Sequence, residues 1–181
     1  MATHVALLRG INVGGRNKIA MADLRAAVAS LGYDSVSTYI QSGNVLFSTG
    51  QASTGQASTA QIENAVRDVI GTSFGLTIGV IVLTRDELAA VISRNPYPDE
   101  PDPRRVHVVF LRTEPDEAVL ARLAATCEGT RDSVTATGRA LYLHTPDGFG
   151  TSELAKSSAK PAINGTARNW ATTTKLLTLC D

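Results

Sequence analysis

The 181-residue sequence is poor in aromatic residues and has no excess of charge of either sign. Aromatic residues make up 5% of the chain, which leaves little material for surfaces that stack the bases of single-stranded nucleic acid. Lysine plus arginine and aspartate plus glutamate number 17 each, so the net charge is zero. A surface for the phosphate backbone of nucleic acid would therefore need charge to be segregated locally.

Cysteine and long apolar runs are also scarce. The two cysteines, Cys127 and Cys180, are too few and too far apart to suggest a disulfide framework or a metal site. No apolar run approaches the roughly 20 residues of a membrane-spanning helix, and the first residues lack the basic and apolar regions of a signal peptide. No cluster of acidic residues and histidines has metal-ligand spacing. We therefore expect a cytoplasmic protein without membrane association, metal or cofactor.

Apolar spacing in residues 1–83 predicts the element order β-α-β-β-α-β of a ferredoxin-like half. Ser58 and Gln61 have the spacing of a capping box at the start of the second helix. The sequence GQAST occurs at 50–54 and 55–59, and its small polar residues predict a mobile loop. The predicted strands are 4–9, 35–40, 44–48 and 78–83, and the predicted helices begin at Met21 and after Ser58.

Residues 105–181 repeat this order as β-α-β-β-α, with an extra C-terminal helix in place of the last strand. The closing helical segments are predicted near 152–159 and 166–179. Residues 84–104 form a helix and a proline-rich connector between the halves. His107, inside the strand sequence VHVVF, is interpreted as a hydrogen-bonded sheet residue. The sequence thus predicts an α+β fold of two ferredoxin-like halves.

The stretch LRGINVGGRNKIAM, residues 8–21, lies between the first strand and the first helix. Its glycines have the spacing of a phosphate-binding P-loop, but Arg16 and Asn17 stand where that pattern needs lysine and a hydroxyl residue. A weaker interpretation remains, in which glycine-rich backbone and three cations bind an anion. An ordinary tight turn explains the same residues equally well.

Three other polar stretches could contribute to a site. YIQSGNV has the composition of a hairpin turn. HTPDGFGTSELAK leaves a strand through a glycine-rich loop and enters a helix capped by Thr151 or Ser152. It also holds His144 and Asp147, but no nucleophile-elbow pattern, so no catalytic residue is assigned. In NGTARNWATTTKLL, helical spacing places Arg168, Thr172 and Lys175 on one polar face.

Five ordered stretches, LRGINVGGRNKIAM, YIQSGNVLF, NPYP, LYLHTPDGFGTSEL and TARNWATTTKLL, resemble the bacterial domain of unknown function family 1697. The resemblance covers roughly residues 4–179. It implies a fold of duplicated ferredoxin-like units, which agrees with the predicted strand order. It implies no activity, cofactor or catalytic residue.

From these features we derive one leading hypothesis and two alternatives. In the leading hypothesis, a small phosphate-bearing anion binds between the halves, near the loops 10–18 and 146–152 and the helix 164–175. The alternatives are a nucleic-acid-binding module and a non-enzymatic interaction protein, including a homodimer joined by strand pairing. Whether the protein is an enzyme is left open. The expected ligand contacts are Arg9, Asn12, Arg16, Lys18, Gln41, Asn44, Ser152, Arg168, Asn169 and Lys175.

Overall fold

A computed structural model describes residues 1–50 and 57–181, so most of the GQAST repeat lies outside the described residues. The chain divides into two compact units. Unit 1 comprises Met1–Ala89 and Leu176–Asp181, and unit 2 comprises Ala90–Lys175.

The elements up to the first helix after β4 are β1 (His4–Leu8), α1 (Met21–Ala29), β2 (Asp34–Tyr39), β3 (Asn44–Ser48), α2 (Thr59–Phe74), β4 (Val80–Thr84) and α3 (Arg85–Ser93). They are followed by β5 (Val106–Leu111), α4 (Glu117–Ala125), β6 (Ser133–Thr137), β7 (Ala140–His144), α5 (Glu153–Ser158), a 3₁₀ turn (Pro161–Ile163), β8 (Gly165–Asn169) and α6 (Trp170–Cys180).

Unit 1 contains an antiparallel four-stranded sheet of order β2-β3-β1-β4. All five residues of β1 are buried, as expected for a central strand. Helices α1 and α2 cover one face of the sheet, where Ala6 and Leu8 pack with the buried side chains of both helices. The opposite face, represented by Val5 and Leu7, is equally buried. This is the ferredoxin-like order predicted from the sequence.

Unit 2 repeats the arrangement with a sheet of order β6-β7-β5-β8. Leu123 of α4 and Leu154 of α5 form a core with the apolar residues of one sheet face. The other face carries Tyr142, which is fully buried and donates its hydroxyl to the carbonyl of Val91 at 2.7 Å. The predicted fold class of two ferredoxin-like halves is confirmed.

The C-terminal segment differs from the prediction. Residues 165–169, of which 166–169 were predicted as helix, form β8, which pairs with β5 so that His107 lies opposite Asn169. The helix begins only at Trp170, and the Oδ1 of Asn169 accepts the N–H of Thr172 at 2.7 Å as an N-terminal cap. Pairing with the open edge of β5 outweighs the helical spacing, because a short polar segment has weak local preference of its own.

The capping residues at the starts of helices α2 and α3, by contrast, form the hydrogen bonds that the sequence indicates. Ser58 and Gln61 form the predicted capping box at the start of α2. Thr84 and Glu87 form the same reciprocal pair at α3, with nitrogen-to-oxygen distances of 2.8 and 3.1 Å.

Among the described residues, no helix has the length and apolar character needed to cross a membrane.

The close approach of β8 to β5 gives a stability test at Gly165. A Cβ atom there would lie 2.7 Å from Val109 Cγ1 and 2.8 Å from the carbonyl oxygen of Phe110. We expect Gly165→Ala to lower the free energy of unfolding by about 1–3 kcal/mol through overpacking. Urea denaturation measures this, with Gly150→Ala as the control, because a Cβ at Gly150 meets no atom within 4 Å. Equal effects of the two substitutions would contradict the packing described.

Candidate functional site

The first glycine-rich loop is closed by its own hydrogen bonds. The N–H of Asn12 donates to the carbonyl of Asn17 at 3.2 Å, and the N–H of Arg16 donates to the carbonyl of Val13 at 3.1 Å. The two glycines between Val13 and Arg16 have φ values of 58° and 75°, which suit a tight turn. Part of the backbone that could bind an anion is therefore engaged within the loop.

Side-chain amides join this loop to the β2–β3 hairpin. Asn12 Nδ2 donates to the carbonyls of Ile19 at 3.0 Å and Gln41 at 2.9 Å, while Asn12 Oδ1 accepts the N–H of Ile19 at 2.9 Å. The structure thus brings Asn12 and Gln41, two of the expected ligand contacts, together. Asn44 is fully buried and donates to the carbonyl of Tyr39 at 3.0 Å, so it holds the turn.

The surroundings of this loop are basic and partly apolar. Arg16 and Lys18 are exposed, and Arg9 is half-buried. Val13 is 62% exposed and Ile40 is 49% exposed. Ile40 also has φ +49°, a conformation that β-branched residues rarely adopt. The segment 8–22 contains these three cations and no aspartate or glutamate, and the segment 35–62 contains no charged residue of either sign.

The residues of the second glycine-rich loop do not form a catalytic triad. Each of the three polar side chains has a separate partner. Ser152 caps α5 by accepting the N–H of Ala155 at 3.0 Å, as one of the two predicted caps. The side-chain partners are Asp132 for Ser152 at 2.6 Å, Glu100 for His144 at 2.7 Å and Arg131 for Asp147.

The polar helical face expected for Arg168, Thr172 and Lys175 is wrong, because Arg168 lies in β8. Arg168 is 7% exposed, and its Nη1 donates to Thr166 Oγ1 and to the carbonyl of Ala167, both at 2.8 Å. Burial lowers the pKa of its guanidinium to about 10. Lys175 lies in α6 and is exposed.

Asn169 instead lies in a polar cleft of unit 2. The cleft has a volume of 440 Å³, which falls within the usual range of about 300–1,000 Å³ for ligand pockets. It is bounded by the segment that enters β5, the loop after β7 and the end of β8. The lining residues are Asp102, Arg104, Arg105, His107, Pro146, Asp147, Gly148, Phe149 and Asn169.

A stacked pair of rings forms part of this cleft. The ring centroids of His107 and Phe149 are 3.7 Å apart, with an angle of 18° between the planes. His107 lies in β5 as predicted, but the expected hydrogen bond is absent: its Nδ1 is buried and has no partner among the described residues. Burial lowers the pKa of His107 to about 4, so the imidazole is neutral at pH 7.

Asp102 holds the two arginines of the cleft. Both oxygens of Asp102 accept from Arg104 at 3.0 Å, in a bidentate pair. Arg105 Nε lies 3.8 Å from Asp102, and its Nη1 lies 3.8 Å from Glu100. The Arg104 guanidinium lowers the pKa of Asp102 to about 2, so this carboxylate stays ionised at neutral pH.

Sequence reasoning missed four of these side chains: Arg104, Arg105, His107 and Phe149. The adjacent arginines directly before β5 could have indicated a binding site, because residues next to the end of a strand lie together at the end of the sheet. The stack of His107 on Phe149 joins residues about 40 positions apart and has no local signal. Among the described residues, no group of three side chains is arranged to hold a metal ion.

Comparison with known proteins supports the fold and the family. The chain belongs to the family described as "Protein of unknown function (DUF1697)", whose model matches residues 1–142. A solved structure of a conserved bacterial protein from Streptococcus pneumoniae is similar to it, with a TM-score of 0.74 and 24% sequence identity over 99% of each chain. At that identity the similarity shows the fold alone. Comparison with curated proteins finds no match.

The partly buried imidazole of His107 makes the stability of the folded chain depend on pH. Its pKa is about 4 in the folded chain and about 6.5 in the unfolded chain, so below pH 6.5 only the unfolded chain takes up a proton. The free energy of unfolding should therefore fall between pH 6.5 and pH 4, by about 2.5 kcal/mol at pH 4.5. His107→Phe keeps a ring against Phe149 and removes this contribution.

Urea denaturation at pH 7 and pH 4.5 tests this expectation. The wild-type protein should lose more stability between the two pH values than the His107→Phe variant does. Other titrating groups are common to both proteins, so they cancel in the comparison. An identical loss in both proteins would show that His107 titrates normally and is not buried as described.

Proposed function

We propose that the protein binds a small phosphate-bearing anion in the polar cleft of unit 2. The observation that carries this proposal is the set of hydrogen-bond donors around one cleft of suitable size, namely Arg104, Arg105, His107 and Asn169. Guanidinium groups match the geometry of phosphate oxygens, and neutral donors beside them add direction to the binding.

Two of these donors have no competing partner in the protein. Asn169 uses its Oδ1 to cap α6, and its Nδ2 has no acceptor among the described residues. The imidazole of His107, the cross-strand neighbour of Asn169, has a buried Nδ1 without a hydrogen-bond partner in the part of the chain that the structure describes. A neutral imidazole still has one N–H to donate. An unmet donor is costly when buried, so a ligand that accepts from it gains affinity.

The carboxylates of the cleft orient its cations. Asp102 fixes Arg104 by a bidentate pair, and Asp147 is paired with Arg131. Each negative charge in the lining is thereby accompanied by a guanidinium. Such pairing reduces repulsion of an incoming anion and limits the rotamers that the arginines must lose on binding.

The proposal keeps only part of the site expected from the sequence. It retains the loop after β7 and Asn169, and it adds the arginines before β5. The first glycine-rich loop is less suited, because the amides of Asn12 and Asn17 and part of the backbone are engaged in closing it. Arg16, which is exposed in that loop, allows the two locations to be distinguished.

Thermal-shift and calorimetric titrations with inorganic phosphate, glycerol 3-phosphate and AMP test the proposal, against sodium chloride of equal ionic strength. We expect at least one phosphate probe to raise Tm. Arg105→Gln should weaken its binding by about 10–100-fold, as expected for loss of about 1.5–3 kcal/mol in charge-assisted hydrogen bonds. Arg94→Gln is the matched control, because Arg94 is an exposed arginine of unit 2 outside the cleft.

Two results would overturn the proposed site. In one, no probe stabilises the wild-type protein. In the other, Arg105→Gln and Arg94→Gln have the same small effect. Loss of binding in Arg16→Gln with no loss in Arg105→Gln would place the anion at the first glycine-rich loop instead.

The nucleic-acid alternative lacks a comparable observation. Phe47, the aromatic residue of β3, is fully buried between Tyr33 and His4, with ring-centroid distances of 4.8 and 5.7 Å, so it offers no free face to a base. Both faces of the central strand β1 are also buried. A ferredoxin-like sheet that binds single-stranded RNA needs an open face with exposed aromatic rings.

A second candidate function is protein interaction through the loops of unit 1. Val13 and Ile40 are exposed aliphatic residues on loops that the Asn12–Gln41 hydrogen bond joins. The positive φ of Ile40 costs stability that asparagine would largely recover. Retaining isoleucine there is consistent with a use for its side chain on the surface.

Sedimentation velocity over a concentration series tests self-association through this surface. Ile40→Asn should abolish concentration-dependent association and raise the free energy of unfolding by up to about 1 kcal/mol. Leu179→Asn, at another exposed aliphatic residue, serves as the control. Unchanged association in Ile40→Asn would exclude this surface, and a monomer at all concentrations would exclude self-association.

A further inference from the structure

A second cavity of unit 2 lies beside α4, α5 and the 3₁₀ turn that follows. Its volume is 250 Å³, below the range of most pockets for drug-sized ligands, so only a small molecule fits. Val119 and Leu123 of α4 and Ile163 of the turn give it an apolar wall. Leu123 is 1% exposed, so the cavity reaches the hydrophobic core of the unit.

The lining also holds Thr126, Ser157, Ala162 and two cations. Arg122 comes from α4 and Lys160 from the residues after α5, and both are exposed. Neither forms an ion pair with a carboxylate of the described residues, and no aspartate or glutamate lines the cavity. The nearby Lys156 lies outside the cavity and is paired with Glu153 at 2.5 Å. The cavity therefore combines an apolar wall with two positive charges that form no close ion pair, and Lys160 also interacts electrostatically with Glu153 outside the lining.

We propose that this cavity binds a small amphipathic carboxylate, with its hydrocarbon part against Val119, Leu123 and Ile163. Its carboxylate would accept from the Arg122 guanidinium and the Lys160 ammonium. The planar fork of arginine matches a carboxylate, and a short alkyl chain against the apolar wall is removed from water. This site is independent of the polar cleft, whose lining it does not share.

A matched set of six-carbon probes tests both halves of this chemistry. Backbone amide shifts in NMR, followed on titration with hexanoate, hexanol, hexylammonium and acetate, report binding to the intact protein. We expect hexanoate to shift residues of α4, α5 and the 3₁₀ turn. Hexanol and acetate, which each lack one half of the ligand, should bind about tenfold or more weakly, and hexylammonium should not bind.

Three variants locate the site. Arg122→Gln and Lys160→Gln should each weaken hexanoate binding about tenfold, since each removes a charge-assisted hydrogen bond. Both side chains are exposed, so neither change should unfold the protein. Lys156→Gln removes a neighbouring lysine outside the cavity and should leave hexanoate binding unchanged.

Several outcomes would overturn this inference. Hexanol binding as tightly as hexanoate would show an apolar crevice without anion recognition. If Lys156→Gln weakens hexanoate binding as much as Lys160→Gln does, the ligand is held by general electrostatic attraction rather than at this cavity. Absence of shifts on α4 and α5 at saturating hexanoate would show that the cavity takes no such ligand. Arg105 lies in the polar cleft, so Arg105→Gln should leave hexanoate binding unchanged. The proposals for the two sites are therefore tested separately.

Discussion

The antiparallel pairing of β8 with β5 is the interaction on which the arrangement of unit 2 depends. It completes the sheet order that unit 1 also has, and it requires a glycine at position 165, where a Cβ would collide with β5. The same register sets Asn169 opposite His107 at the edge of the polar cleft. Because Asn169 also caps α6, one residue ends the strand, begins the helix and lines the cleft. Changing the register by one residue would turn Asn169 to the other face of the sheet.

Sequence alone identified the parts of the structure that are fixed by local chemistry. The capping box of Ser58 and Gln61 and the β2–β3 hairpin depend on residues a few positions apart, and both are present. The strand β8 was missed because its pairing partner lies more than 50 residues away, and its few polar residues also fit a helical spacing. The contact of His107 with Phe149 was missed for the same reason. Local signals of the cleft were present in the glycine-rich loop after β7, in Asn169 and in the adjacent arginines before β5.

The glycine-rich loop of unit 1 shows why composition is a weak guide to a site. Its glycines, asparagines and cations are the residue types of an anion-binding loop. In the structure, Asn12 and Asn17 bind backbone carbonyls, and the glycines supply the positive φ values of a tight turn. A loop that must cross from a strand to a helix at a sheet edge needs its buried backbone groups satisfied. The same residue types therefore arise from folding alone, and only the exposed Arg16 and Lys18 are left for other contacts.

The two cavities of unit 2 use arginine in physically different ways. In the polar cleft, Arg104 is fixed by Asp102, so its positive charge is largely compensated and its orientation is defined. Such a site would favour ligands with several hydrogen-bond acceptors. Its selectivity would come from the orientation of the hydrogen bonds rather than from net electrostatic attraction. Beside α4, Arg122 and Lys160 form no close ion pair, no carboxylate lines the cavity, and an apolar wall lies next to them. A single negative charge would be attracted there, because no carboxylate in the lining opposes it. The two proposed anion sites would therefore differ in selectivity through the placement of carboxylates on a chain of zero net charge.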